Sequence, residues 1–231
     1  MVGFVVRKWS VAIGVIACVG LIASRVPEAL SVDGAKQIFD NARVTAWDVT
    51  WKSGPQGSVE PSRNDTVGVV LTAGAVKIIR QDGASTTPSR AIGDVWFDRK
   101  GIGHREEAVG GAIAPRTIVV ELKDMKVPPL ANTSGYPNAF PRPGVKKVLE
   151  NERIIAWDYT WTPGAPTPMH FHDKDVVVVY LEEGELASTT PDHQVVNNPH
   201  FFGFTKFNAR DRAHTETLVK GKARAIIVEL K

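Results

Sequence analysis

Residues 41–74 and 151–184 align at a constant offset of 110, with no gap and 13 identities in 34 positions. Ala46-Trp47-Asp48 returns as Ala156-Trp157-Asp158, Thr50-Trp51 as Thr160-Trp161, and Gly74 as Gly184. The same offset pairs Gly93 with Gly203, Phe97 with Phe207 and His104 with His214. Both copies end in Val-Glu-Leu-Lys, at 120–123 and 228–231, there offset by 108. A unit of about 85–90 residues is too long for a solenoid repeat and sized for a small domain. The chain therefore has to build one small fold twice. The copies differ where chemistry would sit: His170 and His172 in the second stand against Glu60 and Ser62 in the first.

Helical periodicity is scarce. Short apolar stretches recur between Gly, Pro and Asn: 67–71, 76–79, 118–122, 176–181 and 225–230. Strands at that spacing indicate an all-β sandwich or barrel rather than a βαβ fold. Trp47, Val49 and Trp51 alternate with Asp48 and Thr50, as Trp157, Tyr159 and Trp161 do with Asp158 and Thr160. That is a strand with one aromatic face, given twice, and those rings read as core or inter-domain packing. Residues 124–144 hold Pro128, Pro129, Pro137, Pro141 and Pro143 with Gly135 and Gly144, which suits neither a helix nor a central strand. They read as a semi-rigid linker between a first domain at 32–123 and a second at 145–231.

The first 31 residues are a separate matter. Arg7 and Lys8 precede an apolar run from Val11 to Ala23, followed by Ser24-Arg25 and Pro27. A charged start, a short apolar stretch and a polar exit make a secretory signal, with Ala29-Leu30-Ser31 at the exit. The run is short of the ~20 residues of a membrane span. The expectation is a periplasmic or secreted protein, touching a membrane only if residues 1–31 stay uncleaved. Cys18, the single cysteine, falls inside that run, so residues beyond 31 have no disulfide, thiolate or Cys-metal chemistry. Twenty-eight basic residues against 25 acidic ones, without basic runs, argue against nucleic acid as a partner.

His170 and His172 are two apart, so on a strand both imidazoles leave one face. His214 lies far along the chain, and a third imidazole arriving from a distant strand closes a facial metal site inside a barrel. Gly164-x5-His170-x-His172, then Gly184 and His214, resembles the two-motif signature of the cupin superfamily, and the internal repeat makes the chain similar to a bicupin. The resemblance covers 37–123 and 145–231. It implies two tandem double-stranded β-helix (jelly-roll) barrels with ligands lining the interior. The run His172-Asp173-Lys174-Asp175 is also similar to small bacterial His-x-His-Asp-x-Asp cupins, some named for β-alanine breakdown.

The sequence departs from the family pattern in places. A glutamate usually stands seven residues before the second glycine; counting back from Gly184 gives Val177. Asp175, two residues away, shares the parity of Val177 and could reach a metal from the barrel mouth; otherwise the site is three histidines with open positions. Ala209 and Asp211 replace the Pro and Gly of the second motif, and Glu216 follows His214 on the same face as Glu106 follows His104. The expected metal ligands are His170, His172 and His214, holding Fe, Mn, Zn, Ni or Cu. Asp175 and Glu216 are the acid/base candidates, Glu216 also a partner that fixes an imidazole. Glu60, Asp65 and His104 could hold a weak ion in the first domain, but Ser62 removes an imidazole there. His193 and His200 read as structural. These residues suit a metal-dependent enzyme, dioxygenase-like or isomerase/lyase-like, on a small oxygen-rich metabolite; the alternative is a non-catalytic small-molecule-binding protein. Cupins often pair through sheet edges, so a homodimer is open, as is pairing between the two halves.

Overall fold

A computed structural model describes residues 34–231, apart from 53, 55–61, 112, 126 and 129. Residues 1–31, expected to be a signal segment and holding Cys18, lie outside the described residues, as do Pro129 and Glu60. Among the described residues every regular element is a strand. The first half holds β1 (Ala35–Asp40), β2 (Val44–Thr50), β3 (Asp65–Val70), β4 (Gly74–Arg80), β5 (Ser85–Thr86), β6 (Ser89–Arg90), β7 (Val95–Asp98), β8 (His104–Val109) and β9 (Arg116–Leu122). The second holds β10 (Lys146–Glu150), β11 (Ile154–Thr160), β12 (His170–His172), β13 (Val176–Tyr180), β14 (Gly184–Thr189), β15 (Val195–His200), β16 (Thr205–Asn208), β17 (Arg212–Gly221) and β18 (Arg224–Leu230).

Each half rolls a larger and a smaller antiparallel sheet into a barrel. The larger sheets run β1-β2-β9-β3-β7 and β10-β11-β18-β13-β16. The smaller ones are β12-β17-β14-β15 in the second half and β4 with β5, β6 and β8 in the first. Register keeps the 110-residue offset: Gly68 pairs with Trp96 on β3–β7, and Val178 with Lys206 on β13–β16.

The sequence of β13, four valines and a tyrosine, is buried throughout because both of its faces are covered. Alternate side chains leave opposite faces of a strand. Val177 and Val179 join Ile154, Ala156, Ile226 and Val228 in a core shared with Val44, Ala46, Val67, Val69, Ile118 and Val120 of the first half. Val176, Val178 and Tyr180 turn the other way, into the second barrel. At ~1.5–3 kcal/mol for each fully buried Val, Ile or Leu, this shared core fastens the barrels together face to face.

The halves also exchange charges. Arg43 reaches Asp175 at 2.8 Å, and Arg153, its counterpart 110 residues on, reaches Asp65 at 2.8 Å. The second oxygen of each aspartate accepts a backbone N–H at 2.8 Å, from Arg210 and Lys100 respectively.

The proline-rich segment is more than a spacer. Ala139 N–H donates to Phe171 O at 2.7 Å and Phe171 N–H to Pro137 O at 2.8 Å, extending the smaller sheet beyond β12. Pro137 and Pro141 lack an N–H but still offer carbonyls, so an edge position suits them. Ala139 and Phe140 are buried, and Phe140 and Arg142 line the second barrel's interior.

Gly184 shows why that glycine is needed. A Cβ there would lie 2.3 Å from Lys222 O and 2.6 Å from Lys220 O, at the bulge where β14 pairs with β17. Gly184→Ala should lower unfolding free energy by about 1–3 kcal/mol, read by urea denaturation. Unchanged stability would mean that the bulge relaxes freely.

Candidate metal centre

Strand β12 supplies His170 and His172; β17, paired with it so that His170 faces His214 and His172 faces Arg212, supplies the third imidazole. Ring centroids lie 4.7 Å (His170–His214), 5.0 Å (His172–His214) and 5.1 Å (His170–His172) apart. One ligand nitrogen from each ring falls within 4.8 Å of the others, and all three residues are buried. Three positions spread over 45 residues of sequence thus meet at one point, as the motif spacing implied.

Burial, and then the positive charge of Arg142, pull His170 down to about 4 from 6.5. Burial, and then Arg212, hold His172 well below its usual range. Both rings are therefore neutral near pH 7, as metal ligation requires. The His170 Nδ1–H donates to Pro168 O at 2.8 Å, which leaves the Nε2 lone pair available. His172 Nδ1 is buried with no partner. An orphaned nitrogen of this kind calls for an explanation, and a bound cation provides one. The donor set fits a metal.

Metal-free protein should lose stability as pH falls from 6.5 toward about 4. In that window the unfolded chain takes up protons at His170 and His172 that the folded chain refuses. Urea denaturation at about pH 7.5 and pH 5 measures the loss, which His170→Gln should shrink. Equal losses in both proteins would contradict the desolvated state of that ring.

Glu216 stands beside His214 at 3.6 Å, accepts the Trp161 indole N–H at 3.0 Å and meets Arg142 at 3.4 Å. Burial alone would push its carboxyl up; the contact with His214 and the charge of Arg142 more than reverse this and hold it well below the usual carboxylate range. A carboxylate held that firmly ionised is a weak acid/base candidate and a strong partner for orienting His214. Arg142 stacks 4.1 Å from the Tyr159 ring centre, and its Nη1 lies 3.2 Å from His170 Nε2.

Asp175 does not join the histidines. Its side chain is turned to the inter-domain side with Val177, where Arg43 and the Arg210 amide occupy it. The shared parity with Val177 was sound, but that parity points away from the barrel interior. The inward positions of β13 are Val176, Val178 and Tyr180, so no carboxylate from this strand faces the imidazoles. His200 stacks on Tyr180 with centroids 4.1 Å apart and contacts Lys222 O at 3.2 Å, and His193 occupies a turn at φ 64°.

In the first barrel a tryptophan takes up interior space. A Cβ on Gly68 would fall 2.0 Å from the Trp96 ring, which packs with Val49, Trp51, Val76 and Val119. His104 contacts Glu106 at 3.5 Å and Asp98 at 3.7 Å, and Glu106 also meets Arg90 at 3.3 Å. Asp65 is held by Arg153 instead. Among the described residues, the three histidines of the second barrel are the group arranged to hold a metal.

In the second barrel, Val178 and Lys206 replace Gly68 and Trp96, and a cavity of about 230 Å³ opens beside His172 and His214. Arg142, Lys206, Arg212 and Trp161 line it. Sequence reasoning passed over the three cations. Strand parity could have found Arg212, two residues before His214, whereas Arg142 sits in a segment read as linker.

No family model matches the chain. Over 59 residues it is 39% identical to the β-alanine degradation protein BauB of Pseudomonas aeruginosa, a match covering 26% of this chain and 58% of that relative's length. Among solved structures, the YlbA protein of E. coli superposes with a TM-score of 0.60 at 14% identity, over 92% of this chain and 88% of that one. A cupin 2 conserved barrel domain protein from Leptotrichia buccalis gives 0.54 at 12% identity, over 88% and 91%. Oxalate decarboxylase from Bacillus subtilis gives 0.53 at 12%, over 81% and 68%. Such identities speak to fold alone, and with the strand order above they show it: two tandem barrels of the cupin type.

Proposed function

We propose that the second barrel binds one divalent transition metal through His170, His172 and His214, and that the protein is an exported metal-dependent enzyme acting on a small oxygen-rich metabolite. The observation that carries this reading is the buried three-imidazole cluster, two of whose rings, His172 and His214, lie on the wall of a small cavity. Three imidazoles without a carboxylate suit Fe, Mn, Zn, Ni or Cu. Such an ion would supply Lewis acidity or one-electron chemistry, consistent with an isomerase/lyase-type or an oxygenase-type reaction. The protein's own contribution is positional. Glu216 orients His214 and offsets cationic charge, the Pro168 carbonyl fixes the tautomer of His170, and Val176, Val178 and Ile227 give the cavity an apolar wall. The likeness to a protein named for β-alanine degradation is in keeping with small-metabolite chemistry. The layout of residues 1–31 supports export, which N-terminal sequencing of the mature protein would test.

A metal-free binding protein is the second reading, favoured by Arg142, whose guanidinium lies against the nitrogen of His170 that a metal would use. Protein loaded with each candidate metal and offered thiols, diketones and sugar acids distinguishes the two. Substrate loss or O₂ uptake that disappears in His172→Ala supports the enzyme. Full metal occupancy with no turnover supports the binding protein.

A further inference from the structure

The charges around the second cavity do not balance. Arg142, Lys206 and Arg212 line it, and Glu216 is the carboxylate among its lining residues. Glu216 is paired with Arg142, which leaves Lys206 and Arg212. Lys206 Nζ contacts Asn198 Oδ1 at 3.3 Å and lies over the Tyr180 ring at 5.7 Å. Arg212 donates through Nε to Ala209 O at 2.8 Å, and its Nη1 lies 3.4 Å from His214 Nδ1. Among the described residues, neither has a carboxylate in salt-bridge contact. Desolvating cations costs several kcal/mol when the neighbouring negative charge falls short, and here one carboxylate faces three cations. A protein keeps such a pair at a cavity when something else brings the negative charge.

The first barrel makes the same point by contrast. At the positions 110 residues earlier, Lys206, Asn208 and Arg212 are replaced by Trp96, Asp98 and Ile102. The barrel without the three histidines thus also lacks cations at these positions, and Trp96 packs against Gly68 there. Lys206, Arg212, the three histidines and the cavity occur together in the second barrel, whereas the partly buried cation beside Trp96, Arg90, is paired with Glu106.

We infer that this cavity takes a small organic carboxylate, gripped by Lys206 and Arg212 beside His172 and His214. The planar fork of Arg212 matches a carboxylate, and Lys206 adds a point charge. Asn208 offers a further hydrogen bond, while Val176, Val178, Ile227 and Phe140 suit a short carbon chain rather than an inorganic oxyanion. The volume, about 230 Å³, lies below the ~300–1,000 Å³ of sites for drug-sized ligands. The inference rests on the reading of the second barrel as the functional one, but not on a metal being bound.

The test is calorimetric titration of the untagged chain, metal-stripped and metal-loaded, with malonate, succinate and inorganic phosphate at low salt. A dicarboxylate should bind more tightly than phosphate. Lys206→Met and Arg212→Met should each weaken it by about tenfold or more, and Lys206→Arg should recover most of the loss. Lys206→Met does not touch the histidines, so its metal content should equal that of wild type, which shows that the barrel remains intact. Wild-type dicarboxylate affinity in both methionine variants would overturn the inference. So would phosphate binding as tightly as the dicarboxylates, or no binding of either dicarboxylate at millimolar concentration. Loss of anion binding in the variants of a protein that takes up no metal would sink the metal reading and leave this one standing.

Discussion

His172→Ala should reduce bound transition metal from about one ion per chain to a small fraction of that. Removal of a partner outside the ligand set typically costs ~10–100-fold in metal affinity, and loss of a ligand costs more. His172 is the most telling position because its Nδ1 is buried with no protein partner, so the ring has no structural task that a hydrogen bond would reveal. Glu216→Gln should act more mildly, within about 10–100-fold, because it loosens His214 and leaves the three imidazoles in place. Elemental analysis after purification without an affinity tag measures both. Full stoichiometry in His172→Ala would place the metal elsewhere.

Asp175→Ala should lower unfolding free energy by about 3–5 kcal/mol, the range for removing one partner of a buried ion pair. The side chains of Arg43 and Asp175 are only 11% and 8% exposed, so Arg43 would be left charged and poorly solvated between the barrels. The Arg210 amide would lose its acceptor as well. Metal content should not change, because Asp175 faces away from the histidines. Replacing both partners by apolar residues should recover much of the loss, since a well-packed apolar pair is often as stable as the ions it replaces. Urea denaturation read alongside elemental analysis separates the roles. Wild-type stability with lost metal would return Asp175 to the ligand set.

The fold was legible because its signals are local and given twice. The Trp-Asp-x-Thr-Trp alternation fixes β2 and β11, and the glycines and valine runs fix the strands around them. Spacing also gave the histidine cluster, since His170 and His172 share a face and β12 pairs with β17 at His214. What stayed hidden depends on which side of a strand faces which neighbour. Parity alone says that Asp175 and Val177 point the same way, but not that this side meets another barrel. A run such as Val176–Val179 carries no alternation, because both faces are buried, so periodicity cannot name the inner one. Arg142 was missed for a related reason. Its neighbours Pro141 and Pro143 mark it as a connector, and only the bonds of Pro137 and Ala139 to Phe171 bring it over the site. Lys206 and Arg212 look like ordinary strand charges until the cavity between them is seen.

The most direct measurement is anomalous diffraction from crystals of the protein grown with a transition metal. The account predicts one strong peak in the second barrel, about 2.0–2.2 Å from one nitrogen each of His170, His172 and His214, with Arg142 withdrawn from His170 and no equivalent peak near His104. A barrel that stays empty at saturating metal, with Arg142 still against His170, would contradict it.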